Sequence, residues 1–295
     1  MHKKLKVAVL MGGNSSEYDI SLISGKEVLR NLSDKYIGVP IVVAKDGNEW
    51  LNNLLREKPD ICFIAMHGLF GEDGKIQGML DILKIKYTGS GVLASAVGMD
   101  KILFRKIMQA EGIVVPKLTS KFPCFVKPHN QGSSVGASIV RSKKDLKKAI
   151  KLVKKYSRQV IIEEYLKGTE VTCAVLGNEK PIALPVIEII PLKGEFFDYV
   201  SKYTESGSKE IVPARISQAL TREVQDLAIR VYKAVGCRGF GRVDFILKDN
   251  KYPIVLEINT IPGLTPMSLV PKAAKTYGLS YSELLDKIIK YSIYE

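Results

Sequence analysis

Three apolar runs, Val7–Met11, Ile37–Val43 and Ile61–Met66, alternate with stretches near 16–31, 49–57 and 73–84 in which apolar residues recur at helical spacing. Runs so short and so uniformly apolar read as strands covered on both faces. A parallel strand pair needs a crossover long enough to hold a helix, so this order predicts a parallel sheet with helices on both faces. Gly12-Gly13 follows the first run, and Ser15 or Ser16 stands where it can cap the next helix. Strand, glycine turn and helix N-terminus together make a corner suited to an anion. The full GxGxxG and GxxxxGK[ST] phosphate patterns do not occur in the chain.

Beyond residue 95 the pattern changes. A helix over 100–111 leads to Val114-Val115-Pro116, and short strands follow near 123–127, 136–140, 159–164 and 170–176. From about 180 onward, strands at 182–190, 240–247 and 252–258 accompany helices near 217–235 and 280–291. The polar segment 194–210 is too long for an ordinary connection and reads as a lid. A chain of 295 residues is expected to divide, here into 1–94, 95–179 and 180–295. The fold class is therefore α/β followed by α+β.

Composition removes several functions. No apolar run approaches the roughly 20 residues of a membrane span. The start, MHKKLKVAVLMGG, resembles a leader, but its apolar stretch is short and runs into Gly12-Gly13. It reads as a first strand, and the protein as cytoplasmic. Cys62, Cys124, Cys173 and Cys237 lie far apart without a CxxC pair, which argues against zinc and disulfides and for buried thiols. The net charge of +13 fits a binder of nucleic acid or of small anions. Its densest cluster, residues 141–158, places Leu146, Ile150 and Val153 at helical spacing. The lysines then form a wet helix face without the interleaved aromatics of a base-stacking platform.

Two groups of residues carry chemistry. Asp244 lies inside one apolar strand and Glu257 near the end of the next; if the two pair antiparallel, the carboxylates oppose each other. Asn259 lies two residues beyond Glu257 and shares its face. Oxygen donors of this kind suit Mg²⁺; neutralisation of the acids by Arg242 accounts for the same spacing. In FVKPHNQGSSVG, residues 125–136, Lys127 ends a strand and a Gly-Ser-Ser loop follows, whose N–H groups can approach phosphate oxygens. The strand ending in Glu163, Glu164, Tyr165 and Leu166 could offer backbone groups to a base, or simply end in a polar turn.

The order of these pieces resembles the ATP-grasp superfamily. MGGNSSEYDIS, HGLFGEDG, MDK, FVKPHNQGSSVG, GFGRVDF and LEINTIPGLTPMSLVP, spread over nearly the whole chain, resemble the D-alanine–D-alanine ligase family. The resemblance implies an ATP-grasp fold with an N-terminal Rossmann-like parallel-sheet domain. It implies ATP-dependent ligation of two D-alanines through an acyl phosphate, with release of ADP and phosphate, for peptidoglycan precursors. Asp244, Glu257 and Asn259 would hold two Mg²⁺ ions, with Mn²⁺ as a substitute. Lys101, Lys127, Ser133, Ser134 and Lys202 would meet the phosphates, and Glu163, Tyr165, Leu166 and Glu170 the rest of the nucleotide. Glu17 would pair with the first substrate's ammonium, oriented by Ser133 and Tyr203, with His67 near that subsite. Arg242 and the Gly263 N–H would stabilise the oxyanion, and Ser268 and Leu269 would receive the second carboxylate.

By the same resemblance the partners are D-alanine, ATP and a second copy of the chain, with no nucleic acid and no membrane. The alternatives are a ligase taking D-serine or D-lactate second, for which Tyr203 is the residue to watch, and, more remotely, a basic nucleic-acid-binding protein. Glu72 and Asp73 in the GEDG turn are read as structural. The chain departs from the family between Pro116 and Pro123, where only KLTSKF stands in place of a longer segment with a helix.

Overall fold

The computed structural model describes residues 4–46, 49–192 and 207–293. Strands β1 (Leu5–Gly12), β2 (Tyr36–Val43) and β3 (Ile61–Ile64) form a parallel sheet in the order β2-β1-β3. β1 is central, and its last six residues are all buried, as a strand covered on both faces requires. Helices α1 (Tyr18–Asn31), α2 (Glu49–Glu57) and α3 (Lys75–Ile82) follow the three strands, and α4 (Val92–Met99) and α5 (Lys101–Ala110) come next. The serine cap expected for α1 is not formed: the cap position is Glu17. Ser15 Oγ instead donates to the His67 carbonyl at 2.7 Å and accepts from the Glu17 N–H at 3.1 Å, which ties this turn to the end of the sheet.

An antiparallel three-stranded sheet follows, β5-β4-β6, from β4 (Cys124–Pro128), β5 (Ser138–Val140) and β6 (Val160–Glu164). Helix α6 (Lys143–Val153) covers it through Leu146, Ala149 and Val153, so its lysines face outward. The largest sheet runs β10-β9-β7-β11-β12, with β8 (Ile182–Ala183) beside β7. Its strands are β7 (Gly168–Leu176), β9 (Ile187–Pro191), β10 (Ser208–Ile211), β11 (Phe240–Lys248) and β12 (Tyr252–Asn259). β7, which precedes the boundary expected at 179, is hydrogen-bonded on one side to β9 and on the other to β11. The long segment expected to be loop over 194–210 ends earlier, because Ser208–Ile211 pairs antiparallel with β9. Helix α7 (Gln218–Val235) lays Leu220, Val224, Ala228, Val231 and Val235 on this sheet. Ser217 caps it and Gly236 ends it at φ 76°, the left-handed conformation that costs glycine least.

The chain then returns to its beginning. Helices α8 (Leu269–Tyr277) and α9 (Tyr281–Ile293) bury Val270, Ala273, Leu284, Leu285 and Ile288 in the same core as β1 and β3. Asp286 on α9, 9 % exposed, accepts from Lys35 Nζ at 2.7 Å and Tyr36 OH at 2.6 Å on the edge of β2. All four cysteines are buried, and burial pushes the thiols of Cys62, Cys173 and Cys237 up to about 12.

Desolvation opposes ionisation of Asp286, but the bonds from Lys35, Tyr36 and Lys290 outweigh it and leave its acidity raised. A depressed carboxylate pKa contributes stability that is present at neutral pH and is lost as pH falls through the folded-state value. Asp286→Asn should therefore cost about 2 kcal/mol in urea unfolding at pH 7. The gap from wild type should narrow on acidification towards pH 3; an undiminished gap would exclude the charged form as its source.

Candidate active site

The site is built on the pairing of β11 with β12. Asp244 stands opposite Glu257 and Arg242 opposite Asn259, so four polar side chains project from one face at the sheet edge. Arg242 grips Asp244 with its fork, Nε to Oδ1 and Nη2 to Oδ2, both at 2.8 Å. The Thr172 hydroxyl on β7 adds a 2.5 Å bond to Asp244 Oδ1. The Asn259 amide satisfies both neighbours when its oxygen accepts from Arg242 at 3.0 Å and its nitrogen donates to Glu72 at 2.9 Å. Arg242 and Asp244 are both nearly buried.

Two clefts meet at this edge. The larger, about 610 Å³, lies between the two antiparallel sheets and is lined by Lys101, Lys127, Ser134, Glu163, Tyr165, Leu166, Glu170, Asp244 and Glu257. The smaller, about 100 Å³, lies towards the N-terminal sheet and is lined by Glu17, His67, Glu72, Ser133, Glu210, Arg242, Asn259, Gly263, Ser268 and Leu269. Lys101 and Glu257 border both, and their side chains pair at 3.0 Å. Lys101 opens α5, which Asp100 caps by accepting from the N–H groups of Ile102 and Leu103. Lys127 on β4 pairs at 2.5 Å with Glu163 on β6, and Arg105 stands 3.9 Å from the same carboxylate. On β9, Glu188 faces the larger cleft, and hydrogen bonds from Arg215 hold its carboxyl below the usual range.

In the smaller cleft Ser133 donates to Glu17 Oε1 at 2.5 Å across a sequence gap of 116 residues. Ser133 and Ser134 both take left-handed backbone angles, φ 50° and 57°, in the loop after β4. Gly68 turns at φ 75°, which favours glycine, and a Cβ there would press on Glu17 Oε2 at 2.9 Å. A Cβ on Gly263 would stand 2.8 Å from Ser268 Oγ, so that hydroxyl would have to shift. Ser268 occupies the cap position of α8, and its Oγ accepts from the Thr265 N–H at 2.9 Å. His67 lies between Ser24 and the Ile261 carbonyl, at 2.8 and 3.2 Å.

The structure thus brings together Glu17, His67, Ser133, Arg242, Asn259, Gly263, Ser268 and Leu269 around one cleft. Lys101, Lys127, Ser134, Glu163, Tyr165, Leu166 and Glu170 line the other. Lys202 and Tyr203 lie outside the described residues. Asp244, Glu257 and Asn259 share one sheet edge as hard oxygen donors, a set that fits a divalent cation such as Mg²⁺. Among the described residues no three His, Cys, Asp or Glu side chains form such a cluster.

Glu72, read from the sequence as structural, is part of the small cleft. Burial, and next the charge of Glu17, push its carboxyl up to about 8. Glu210 was also missed. It lines the cleft and pairs with Lys272 at 2.5 Å. Only their partial burial distinguishes these acids from surface ones, and no local pattern announces it.

Known proteins resemble the chain over nearly its whole length. The family model described as D-ala D-ala ligase C-terminus matches residues 98–290, and its N-terminal counterpart matches 6–59 and 52–90. The D-alanine--D-alanine ligase of Carboxydothermus hydrogenoformans is 43 % identical, covering 97 % of each chain. That of Pelotomaculum thermopropionicum is 42 % identical over 98 % of this chain and 97 % of its own. Among solved structures, the VanG D-Ala:D-Ser ligase from Enterococcus faecalis superposes with a TM-score of 0.86 at 35 % identity, covering 98 % of this chain and all of its own. The D-alanine--D-alanine ligase from Bacillus anthracis complexed with ATP gives a TM-score of 0.83 at 37 % identity, covering 99 % of this chain and 97 % of its own.

Among the described residues, Lys127→Met should leave Glu163, 5 % exposed, with only Arg105, 3.9 Å away, as a cationic partner. A cost of about 3 kcal/mol in chemical denaturation is expected. Replacing Glu163 by Leu in the same chain should recover most of it, and additive losses would show that the two side chains are not coupled. With both of its halves matched by the family's models and its relatives aligned nearly end to end, the chain belongs to the D-alanine–D-alanine ligase family.

Proposed function

We propose that this enzyme joins two D-alanines at the expense of ATP, and that the reaction crosses from the large cleft to the small one at Lys101 and Glu257. The observation that carries this reading is that junction: one wall holds a nucleotide-sized cleft and an amino-acid-sized cleft against the same carboxylate and the same ammonium. A phosphoryl group leaving a nucleotide on one side then meets a carboxylate on the other without leaving the protein.

In this reading Glu163, Glu170 and the backbone at Tyr165 and Leu166 hold the nucleoside, while Lys101, Lys127 and the Ser133–Ser134 loop hold its phosphates. Glu17, braced by Ser133, binds the ammonium of the first D-alanine, whose carboxylate accepts the γ-phosphoryl to give an acyl phosphate and ADP. The amine of the second D-alanine attacks that carbonyl, and its carboxylate rests at Ser268 and the N-terminus of α8, where free N–H groups favour an anion. Arg242 and the Gly263 N–H stabilise the oxyanion before phosphate departs. Asp244, Glu257 and Asn259 would hold Mg²⁺, or Mn²⁺ in its stead, which supplies positive charge against the triphosphate. Lys202 and Tyr203 belong to the same reading as lid residues. So do division of the chain near residues 94 and 179, a homodimer and a cytoplasmic location.

The likeness to a D-Ala:D-Ser ligase supports a second reading, in which D-serine is the acceptor. Incubation with ATP, Mg²⁺ and D-alanine, followed by mass spectrometry, should yield D-alanyl-D-alanine and one phosphate per dipeptide. A product formed only when D-serine or D-lactate is added would replace the first reading. Glu257→Gln should lower turnover by about 10²- to 10³-fold with the unfolding midpoint unchanged; a near wild-type rate at low Mg²⁺ would remove Glu257 from the metal site. Glu17→Gln should raise KM for D-alanine at the first site by about 30- to 150-fold and leave KM for ATP within twofold. Equal losses for both substrates would contradict its assignment.

A further inference from the structure

The first turns of α1 carry Glu17, Ser21 and Ser24, spaced so that they share one helix face. Ser21, fully buried, accepts from the Gly12 N–H and donates to the Ala65 carbonyl, which joins the ends of β1 and β3. Ser24 is equally buried but reaches further. Its Oγ lies 2.8 Å from His67 Nε2 and accepts a longer bond, 3.4 Å, from the Leu264 N–H.

The protons in this chain can be placed by counting. His67 Nδ1 faces the Ile261 carbonyl at 3.2 Å, and a carbonyl only accepts, so Nδ1 carries the hydrogen. Burial lowers the His67 pKa against the opposing influence of Glu17, so the ring is neutral and Nε2 presents a lone pair. The single hydroxyl hydrogen of Ser24 must then point at Nε2, and its oxygen remains open to the Leu264 N–H. Donation runs in one direction, Ser24 to His67 to Ile261. Both ends of the relay lie on the 261–264 turn that contains Gly263.

We propose that Ser24 is a positioning residue for the ligation: it locks His67 in the Nδ1–H tautomer and, through His67 and the Leu264 N–H, holds the 261–264 turn so that the Gly263 N–H points at the developing oxyanion. The inference rests on the role given above to Gly263. Without the hydroxyl, Nε2 loses its donor, and the ring can take the tautomer that sets a lone pair against the Ile261 carbonyl. The turn then loses two of its tethers to α1 and the HGLFGEDG segment at once. A misplaced oxyanion donor weakens transition-state binding and leaves ground-state binding alone.

The chain has 3 histidines, so ¹⁵N spectra of the imidazoles can be assigned with few variants. The wild-type protein should show His67 as Nδ1–H with a hydrogen-bonded, unprotonated Nε2. Ser24→Ala should lose that single-tautomer signature and lower kcat by about 10- to 100-fold, with KM for ATP and for D-alanine within twofold. Ser24→Cys, of similar size and with a weaker donor, should fall between the two in both readouts. An Nε2–H tautomer in the wild type overturns the proposal whatever the activity. So does a Ser24→Ala protein that is less stable but keeps wild-type kcat and tautomer, because Ser24 would then only pack. Absence of dipeptide from the wild type, with the tautomer as stated, would instead strike at the ligase reading itself.

Discussion

The register between β11 and β12 is the constraint on which the site depends. Asp244 opposes Glu257 and Arg242 opposes Asn259 because the strands are offset as they are. A slip of one residue would turn all of one strand's side chains to the other face of the sheet. Apolar residues on the opposite face prevent it: Val243, Phe245 and Ile258 are locked into the core beneath α7, so the hydrophobic face holds the polar one in register. A bulge between Asp244 and Phe245 then separates the catalytic edge from the ordinary ladder that continues to Lys248. Stability and chemistry are two faces of one strand pair, and the core residues select the alignment that the polar residues need.

The clefts hold charge in matched pairs. Glu257 with Lys101, Glu163 with Lys127 and Glu188 with Arg215 each set a carboxylate against a cation from another element, while Asp244 is paired with Arg242 two residues before it on β11. Isolated charges in these partly dry walls would cost several kcal/mol each, and pairing offsets that. The lysines are therefore already placed at the cleft wall before an anion arrives. A phosphate entering the larger cleft would compete with Glu163 or Glu257 for a cation that need not be carried in from solvent. Such exchange costs little reorganisation, which is the physical content of a preorganised electrostatic site.

Much of this was legible in the sequence because it rested on periodicity and on short motifs. The parallel strands, the basic helix with its wet face, and the antiparallel approach of Asp244 to Glu257 all follow from residues whose spacing matches their structure. What stayed hidden did so for physical reasons. Helix α4 is apolar nearly all round, VLASAVGM, and gives no amphipathic contrast because it is covered on several sides. Helix α8 carries Pro271 in its first turn, where a missing N–H is harmless but where a reader of sequence expects a break. Strand β10 lies at the end of a polar stretch and takes its structure from β9. Ser24 looks like any polar helix residue, and Glu72 like one acid of an exposed turn. Only the packing of three distant segments shows that Ser24 is buried, that Glu72 is largely covered, and that both are hydrogen-bonded.

The short segment after Pro116 braces the strand beside the site. β6 would be the edge of its small sheet, and it carries Glu163. Residues 117–119 run along that edge: Lys117 receives the Glu164 N–H on its carbonyl at 2.8 Å, Thr119 donates to the Ile162 carbonyl at 3.2 Å, and Leu118 bridges to Glu163. The Glu164 carboxylate closes the pair by accepting from the Lys117 N–H at 2.9 Å. An exposed edge is a liability because its N–H and C=O groups seek partners. Here the remaining residues cover it directly, so the strand that sets Glu163 against Lys127 is braced from both sides. Two backbone bonds and one to a side chain thus hold residues 117–119 against β6.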